Sequence, residues 1–128
     1  MRLLLDTHIA LWAVTDSALL PRQAEAAILA ADEVFVSAAS LWEVAIKHAL
    51  GRGDMPVSSP QALLAFIEAG YRLLDIKPAH VVRVETLPPL HKDPFDRLLV
   101  AQALEEPLTL ITSDQVLGGY SPAVVVAR

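Results

Sequence analysis

Leu3-Leu4-Leu5-Asp6 carries the strongest indication of the fold in this sequence. Three consecutive leucines are typical of a strand buried on both faces, as the inner strands of parallel sheets are. Asp6 then lies at the carboxyl end of that strand, and ligands of open α/β sheets bind at this edge. The stretch therefore predicts a buried parallel sheet with a candidate functional side chain at its carboxyl edge.

Strand-like and helix-like segments alternate along the rest of the chain. This pattern predicts an α/β domain with a mainly parallel central sheet of four to five strands, formed by residues 1–128 as a single domain. Strands are predicted at residues 3–5, 34–36, 72–74, 108–111 and, at an edge, 124–126. Helices are predicted at about 7–14, 21–31, 38–50, 60–69, 78–87 and 94–105, with Ser59 as the cap of the fourth.

The composition excludes several classes of protein. The chain has 128 residues, and 54% of them are hydrophobic, which excludes a disordered protein. It has no cysteine, which excludes disulfide scaffolds, zinc fingers and cysteine nucleophiles. The N-terminal apolar run ends at Asp6, too early for a signal peptide, and no stretch approaches the roughly 20 apolar residues of a membrane span. We therefore expect a cytoplasmic protein that does not enter the membrane.

Four acidic residues stand out because their surroundings are apolar, where a charge is costly unless it is paired or binds a metal. They are Asp6, Glu43, Asp96 and Asp114. Each also has a structural interpretation. Asp6 could cap a helix, and Glu43 could form an i,i+4 pair with Lys47. Asp96 could favour the helix dipole in the first turn after the cap Asp93, and Asp114 could be a turn residue.

The joint placement of the four acids is more informative than any one of them. Two follow strands and two lie near the starts of helices, positions that share one edge of a parallel sheet. Four carboxylates there repel each other unless cations lie between them, and Mg²⁺ or Mn²⁺ prefers such oxygen ligands. The net charge of −5 disfavours nucleic-acid binding through bulk charge but is compatible with such a site. The pattern predicts phosphodiester hydrolysis by a metal-activated water.

The motifs that hold these acids resemble those of PIN-domain ribonucleases, and most closely the VapC-type toxins of bacterial toxin–antitoxin modules. The resemblance implies an α/β/α sandwich, an endoribonuclease that depends on Mg²⁺ or Mn²⁺, and a VapB-like antitoxin that blocks the site. It also implies catalytic and metal-binding roles for Asp6, Glu43, Asp96 and Asp114, and a site hydroxyl on Thr112. The matching stretches are Leu4–His8, Ser40–Lys47, His91–Ala103 and Leu110–Asp114.

Basic residues and partners complete this hypothesis. RNA phosphates need only a local basic patch, so four residues near the motifs are candidate RNA contacts despite the acidic net charge. We also expect a homodimer and a tight complex with a small antitoxin. The candidate RNA contacts are Lys47, Arg52, Lys92 and Arg97.

Two other function classes remain open from the sequence. A phosphatase or phosphoacceptor domain would place its acceptor at a strand end. Haloacid-dehalogenase-like phosphatases need a second acid two residues after that acceptor, and this chain has His8 there. Receiver domains need a lysine after a late strand, and residues 111–114 contain none. A non-catalytic protein-binding module would not need the four acids. Among the histidines, His91 is the best functional candidate because it neighbours Asp93 and Asp96.

Overall fold

A five-stranded, entirely parallel sheet forms the centre of the molecule. The structure is a computed structural model that describes residues 1–128. The strands follow the spatial order β3-β2-β1-β4-β5, so the leucine strand is central and fully buried. The predicted sheet is confirmed, with 124–126 at an edge. The strands are β1 (Arg2–Leu5), β2 (Glu33–Ser37), β3 (Arg72–Leu74), β4 (Thr109–Thr112) and β5 (Val124–Val126).

Six helices connect the strands, close to the predicted ranges. Ser59 was wrongly expected to cap the fourth helix: Ser58 is the cap, because its hydroxyl accepts from the Gln61 N–H and the Gln61 side chain accepts from the Ser58 N–H. None of the helices combines the length and apolarity needed to cross a bilayer. The helices are α1 (Thr7–Val14), α2 (Arg22–Ala30), α3 (Ala38–Ala49), α4 (Ser59–Glu68), α5 (Pro78–Val84) and α6 (Pro94–Glu105), and a short 3-10 helix follows at Gln115–Gly119.

The helices cover both faces of the sheet and form two hydrophobic cores. Side chains of a strand alternate between faces, so Leu4 packs with Leu99 beneath α5 and α6, whereas Leu3 and Leu5 pack with Phe66 on the side of α1, α2 and α4. Each core contributes the apolar burial that stabilises one face. The result is the predicted α/β/α sandwich.

The pairing of β1 with β4 aligns the two ends of the chain at one edge of the sheet. Leu5 pairs with Ile111, and the Asp6 N–H donates to the Ile111 carbonyl at 2.9 Å. The next residue of β4, Thr112, therefore lies beside Asp6. This register brings the first and last motifs of the sequence together.

Candidate active site

The four predicted acids all line one open cavity of about 310 Å³ at the carboxyl edge of the sheet. Lys47 is the only one of the four predicted RNA-contacting bases that lines it. Thr112 lies fully buried beneath the acids. The lining residues are Asp6, His8, Trp12, Glu43, Lys47, Asp93, Asp96, Ser113 and Asp114.

Asp6 does not act as a side-chain helix cap, although it occupies the N-cap position of α1. Its carboxylate instead accepts a hydrogen bond of 2.6 Å from the Thr112 hydroxyl. Burial raises the pKa of Asp6 despite this bond, and the nearby charge of Glu43 raises it further. Asp6 is therefore a buried acid held at the floor of the cavity.

Thr112 positions two of the acids. Its hydroxyl donates to Asp6 Oδ2 and accepts from the Asp114 N–H at 3.0 Å. Because it is fully buried, Thr112 orients these neighbours and is not exposed to a ligand.

Glu43 lines the acidic cavity and also forms the i,i+4 pair with Lys47 that is its structural interpretation. Its side chain is only 5% exposed, and Oε2 accepts from Lys47 Nζ at 2.5 Å in the expected i,i+4 pair. Burial lowers the pKa of Lys47, but the hydrogen bond and charge of Glu43 outweigh it and leave that pKa raised. Glu43 Oε1 accepts from Thr7 Oγ1 at 2.7 Å. Sequence reasoning missed Thr7, whose only signal was its position after Asp6.

The carboxylate of Asp96 is the least stabilised of the four by contacts with neighbouring groups. Asp93 caps α6, accepting from the N–H groups of Phe95 and Asp96 at 2.8 and 3.3 Å, so the Asp96 carboxylate is not used for capping. Burial, together with the charges of Asp6, Asp93 and Glu43, raises the pKa of Asp96 to about 7, against the opposing effect of His91.

His91 links Asp114 to Asp96. Its Nδ1 accepts from the Asp93 N–H at 3.0 Å, which leaves the proton on Nε2 to be donated to Asp114 Oδ2 at 2.8 Å. The same Nε2 is 3.5 Å from Asp96 Oδ2. Asp114 Oδ1 caps the 3-10 helix by accepting from the Val116 N–H, so the turn interpretation also holds.

The residues of the cavity fit a hard divalent cation. Five carboxylates face the single ammonium of Lys47, and one ligand atom each from His91, Asp96 and Asp114 lies within 4.8 Å of the other two. The raised pKa of Asp96 reflects burial first and then repulsion by neighbouring carboxylates, and a bound cation would offset both. Oxygen ligands of this kind suit Mg²⁺ or Mn²⁺.

The other predicted RNA-contacting bases lie outside the cavity. Arg97 donates to the carbonyls of Val84 and Pro88 and to the Tyr120 hydroxyl, each at 3.1 Å, so it holds the segment before α6 in place. Arg52 pairs with Asp54 at the surface. Lys92 is exposed.

Comparison with known proteins shows the family to which this chain belongs. Residues 3–119 match the family model of the PIN domain. The chain belongs to the PIN-domain family. This PIN domain is also 33% identical over 118 residues to Ribonuclease VapC22 of Mycobacterium tuberculosis, which covers 91% of this chain and 90% of the relative.

Solved structures share the fold of this PIN domain. VapBC2 from Rickettsia felis, bound to a promoter DNA fragment, matches with a TM-score of 0.69 and 18% identity over 98% of this chain and 96% of that one. A toxin–antitoxin complex from Klebsiella pneumoniae matches with a TM-score of 0.66 and 21% identity over 95% and 94%. Mycobacterium tuberculosis VapC20, a sarcin–ricin loop cleaving toxin, gives 0.63 and 14% over 98% of both chains.

Proposed function

We propose that this PIN domain is an endoribonuclease that depends on Mg²⁺ or Mn²⁺ and acts as the toxin of a toxin–antitoxin pair. The observation that carries the proposal is the convergence of Asp6, Glu43, Asp96 and Asp114 on one cavity. The likeness to Ribonuclease VapC22 supports it. A phosphoacceptor domain is disfavoured, because the position two residues after Asp6 is His8 and not an acid, and residues 111–114 contain no lysine.

The proposed chemistry assigns roles to the four acids, to Lys47 and to the two residues that orient the acids. A divalent cation held by Asp6, Asp96 and Asp114 would stabilise the charge of the phosphodiester in its transition state and lower the pKa of a water. Thr112 and His91 hold Asp6 and Asp114 in orientation. Glu43 is the candidate to accept a proton from the attacking water, and Lys47 fixes its carboxylate and offers a positive charge to a substrate phosphate.

The first expected result is metal-dependent cleavage. Purified protein, freed of any partner, should cut single-stranded or structured RNA in Mg²⁺ or Mn²⁺ and should not cut it in EDTA, because the acids cannot activate water without a cation. Gel analysis of labelled RNA with each metal measures this and also identifies the preferred ion. Full activity in EDTA would refute the metal mechanism.

We also propose an antitoxin of the VapB type as the partner, and a homodimer of this chain. The toxin–antitoxin complexes among the similar structures support the first. An exposed apolar groove between α3 and α4, lined by Leu41, Trp42, Pro60 and Leu63, supports the presence of a protein interface. We place the activity in the cytoplasm, where its RNA substrate is, and assign residues 1–128 to one domain.

These assembly proposals predict a particle larger than a monomer. Light scattering at micromolar concentration should give the mass of a dimer, and co-expression with the product of a neighbouring small reading frame should give a stable complex. Trp42 is 54% exposed, so burial of Trp42 in that complex should shift its fluorescence. A strictly monomeric protein that ignores the co-expressed product would contradict both proposals.

A further inference from the structure

A second cavity, of about 380 Å³, adjoins the acidic one. Helix α1 forms one wall with Leu11, Trp12 and Thr15, and the loop between α3 and α4 forms the other. His8 and Trp12 line both cavities. A ligand whose charged group occupies the acidic cavity can therefore extend directly into the second one.

Trp12 offers a flat surface to this second cavity. It follows His8 by one helical turn, and the two ring centroids are 5.7 Å apart with planes inclined at 47°. This tilt means that His8 does not stack parallel on the indole. Trp12 is half-buried and packs against the core, and its remaining surface lines the second cavity. Aromatic faces bind nucleobases of any sequence by stacking.

The opposite wall is fixed in place by the core. Met55 is 1% exposed and packs in the core beneath α1 and α4, and its carbonyl is bonded to His48 Nδ1 at 3.0 Å. The cavity-lining residues Asp54 and Pro56 flank this anchor. The second cavity is therefore preformed, which lowers the ordering cost of binding.

One carboxylate gives the second cavity its polarity. Asp54 accepts from Arg52 at 3.2 and 3.4 Å and lies 3.8 Å from His8 Nε2. Burial raises the pKa of Asp54, but the charge and hydrogen bonds of Arg52 outweigh it and lower the pKa overall. Asp54 is ionised at neutral pH and can only accept hydrogen bonds; each of its oxygens accepts one from Arg52.

We infer that this second cavity binds the nucleobase next to the scissile phosphate, stacked on Trp12, with Asp54 accepting hydrogen bonds from its Watson–Crick edge. The inference rests on the proposed ribonuclease function. The volume is at the small end of the roughly 300–1,000 Å³ of small-ligand sites, which suits one base better than a peptide helix.

The carboxylate also selects among the four bases. Guanine presents two adjacent N–H donors on its Watson–Crick edge, which match the two oxygens of Asp54 and would replace the exposed Arg52 guanidinium on them. Uracil presents one donor between two carbonyl oxygens, and these oxygens would face the carboxylate unpaired. A bidentate pair of this kind discriminates between bases by about tenfold or more. We therefore expect a preference for guanine.

Binding of short RNAs in EDTA tests the inference without cleavage. The probes are uridine heptamers whose central base is G, A, C or U. Trp42→Phe leaves Trp12 as the only tryptophan reporter. The G heptamer should quench Trp12 and bind about tenfold more tightly than the U heptamer, and Asp54→Asn should reduce this preference to less than about twofold. Asp16→Asn removes an exposed charge close by in sequence but outside the lining, and should leave the preference unchanged.

Stacking is tested separately with heptamers that carry a fluorescent label. Trp12→Leu should weaken binding of the G heptamer by about tenfold or more, and Trp12→Phe by less. If Trp12→Leu does not fold, the Asp54→Asn comparison still decides the question.

Equal binding of all four heptamers, or a guanine preference that survives Asp54→Asn, would overturn the inference. So would unchanged RNA binding by Trp12→Leu with a weakened antitoxin complex, since the cavity would then be a protein site. Failure of the proposed function has a different signature: no RNA is cut in Mg²⁺ or Mn²⁺, whatever the heptamers show in EDTA. If the protein cuts RNA in Mg²⁺ or Mn²⁺ but binds all four heptamers equally, the proposed function is supported and the base site is refuted.

Discussion

Asp6→Asn and Asp96→Asn should each lower the metal-dependent cleavage of RNA by at least about 100-fold, the scale on which the loss of one transition-state stabiliser acts. Both residues line the acidic cavity, and neither carboxylate caps its helix. Asparagine keeps the shape of each side chain and removes the charge that would hold a cation. The measurement is kcat/KM for a labelled RNA in Mn²⁺ and in Mg²⁺.

Asp32→Asn is the matched control for this loss of charge. Asp32 is exposed and pairs with the N-terminal ammonium at the opposite end of β1 from the acidic cavity. It should keep full activity. Variants of Asp6 and Asp96 that cut RNA as fast as Asp32→Asn would show that these acids are not part of the catalytic machinery.

Asp96→Asn should also stabilise the metal-free protein, although it abolishes activity. The charges of Asp6, Asp93 and Glu43 crowd the Asp96 carboxylate, and they are one reason why its pKa rises to about 7. The unfolded chain lacks this crowding. Allowing for solvent screening, we expect the variant to gain about 2 kcal/mol in the free energy of unfolding at pH 8 in EDTA.

The pH dependence gives this gain a definite sign. The pKa of Asp96 is about 7 in the folded state, whereas the unfolded chain releases this proton near 3.8, the ordinary pKa of an aspartate. The folded state thus holds more protons in this window, and the contribution of Asp96 to stability falls as the pH rises through it. The advantage of Asp96→Asn should be largest at pH 8 and should vanish near pH 4. Urea denaturation at several pH values measures it.

Glu25→Gln separates crowding from an ordinary helix effect. Glu25 is an exposed acid in the first turn of α2, outside the acidic cavity. Its loss should cost about 0.3–1 kcal/mol through the helix dipole. If Asp96→Asn also destabilises the metal-free protein, Asp96 is a structural first-turn acid and the site is wrong.

Metal binding provides an independent test of the same residue. With a dissociation constant on the order of 1 mM, about 10 mM Mg²⁺ should stabilise the wild type by roughly 1.4 kcal/mol. That corresponds to about 3–6 °C in melting temperature for a domain of this size. Asp96→Asn should lose most of the rise.

Most of the fold could be predicted because its central strands, β1 and β4, are buried on both faces. Continuous apolar runs such as Leu3–Leu5 have few other uses in a chain of this size, and the helices between them carry caps such as Asp93 and Ser37. The 3-10 helix at Gln115–Gly119 was not predicted, since one short turn has no hydrophobic period and depends on the cap that Asp114 supplies.

The candidate site was only partly predictable. The acids could be identified because charge is rare in apolar surroundings. The contacts that orient them could not, because they depend on the register of β1 against β4 and on how helices cross. The hydrogen bonds of Thr112 with Asp6 and of His91 with Asp114 join residues 106 and 23 positions apart. Nothing in the sequence around Arg97 indicates that its guanidinium binds backbone carbonyls and not an RNA phosphate.

The pairing of β1 with β4 has a consequence for how the protein is made. Asp6 emerges from the ribosome 106 residues before Thr112, which holds its carboxylate, and Asp114 follows Thr112. A nascent chain that has not yet released β4 can form neither the central strand pair nor the acidic cavity. The candidate site is therefore absent from any nascent chain in which Thr112 and Asp114 have not yet left the ribosome.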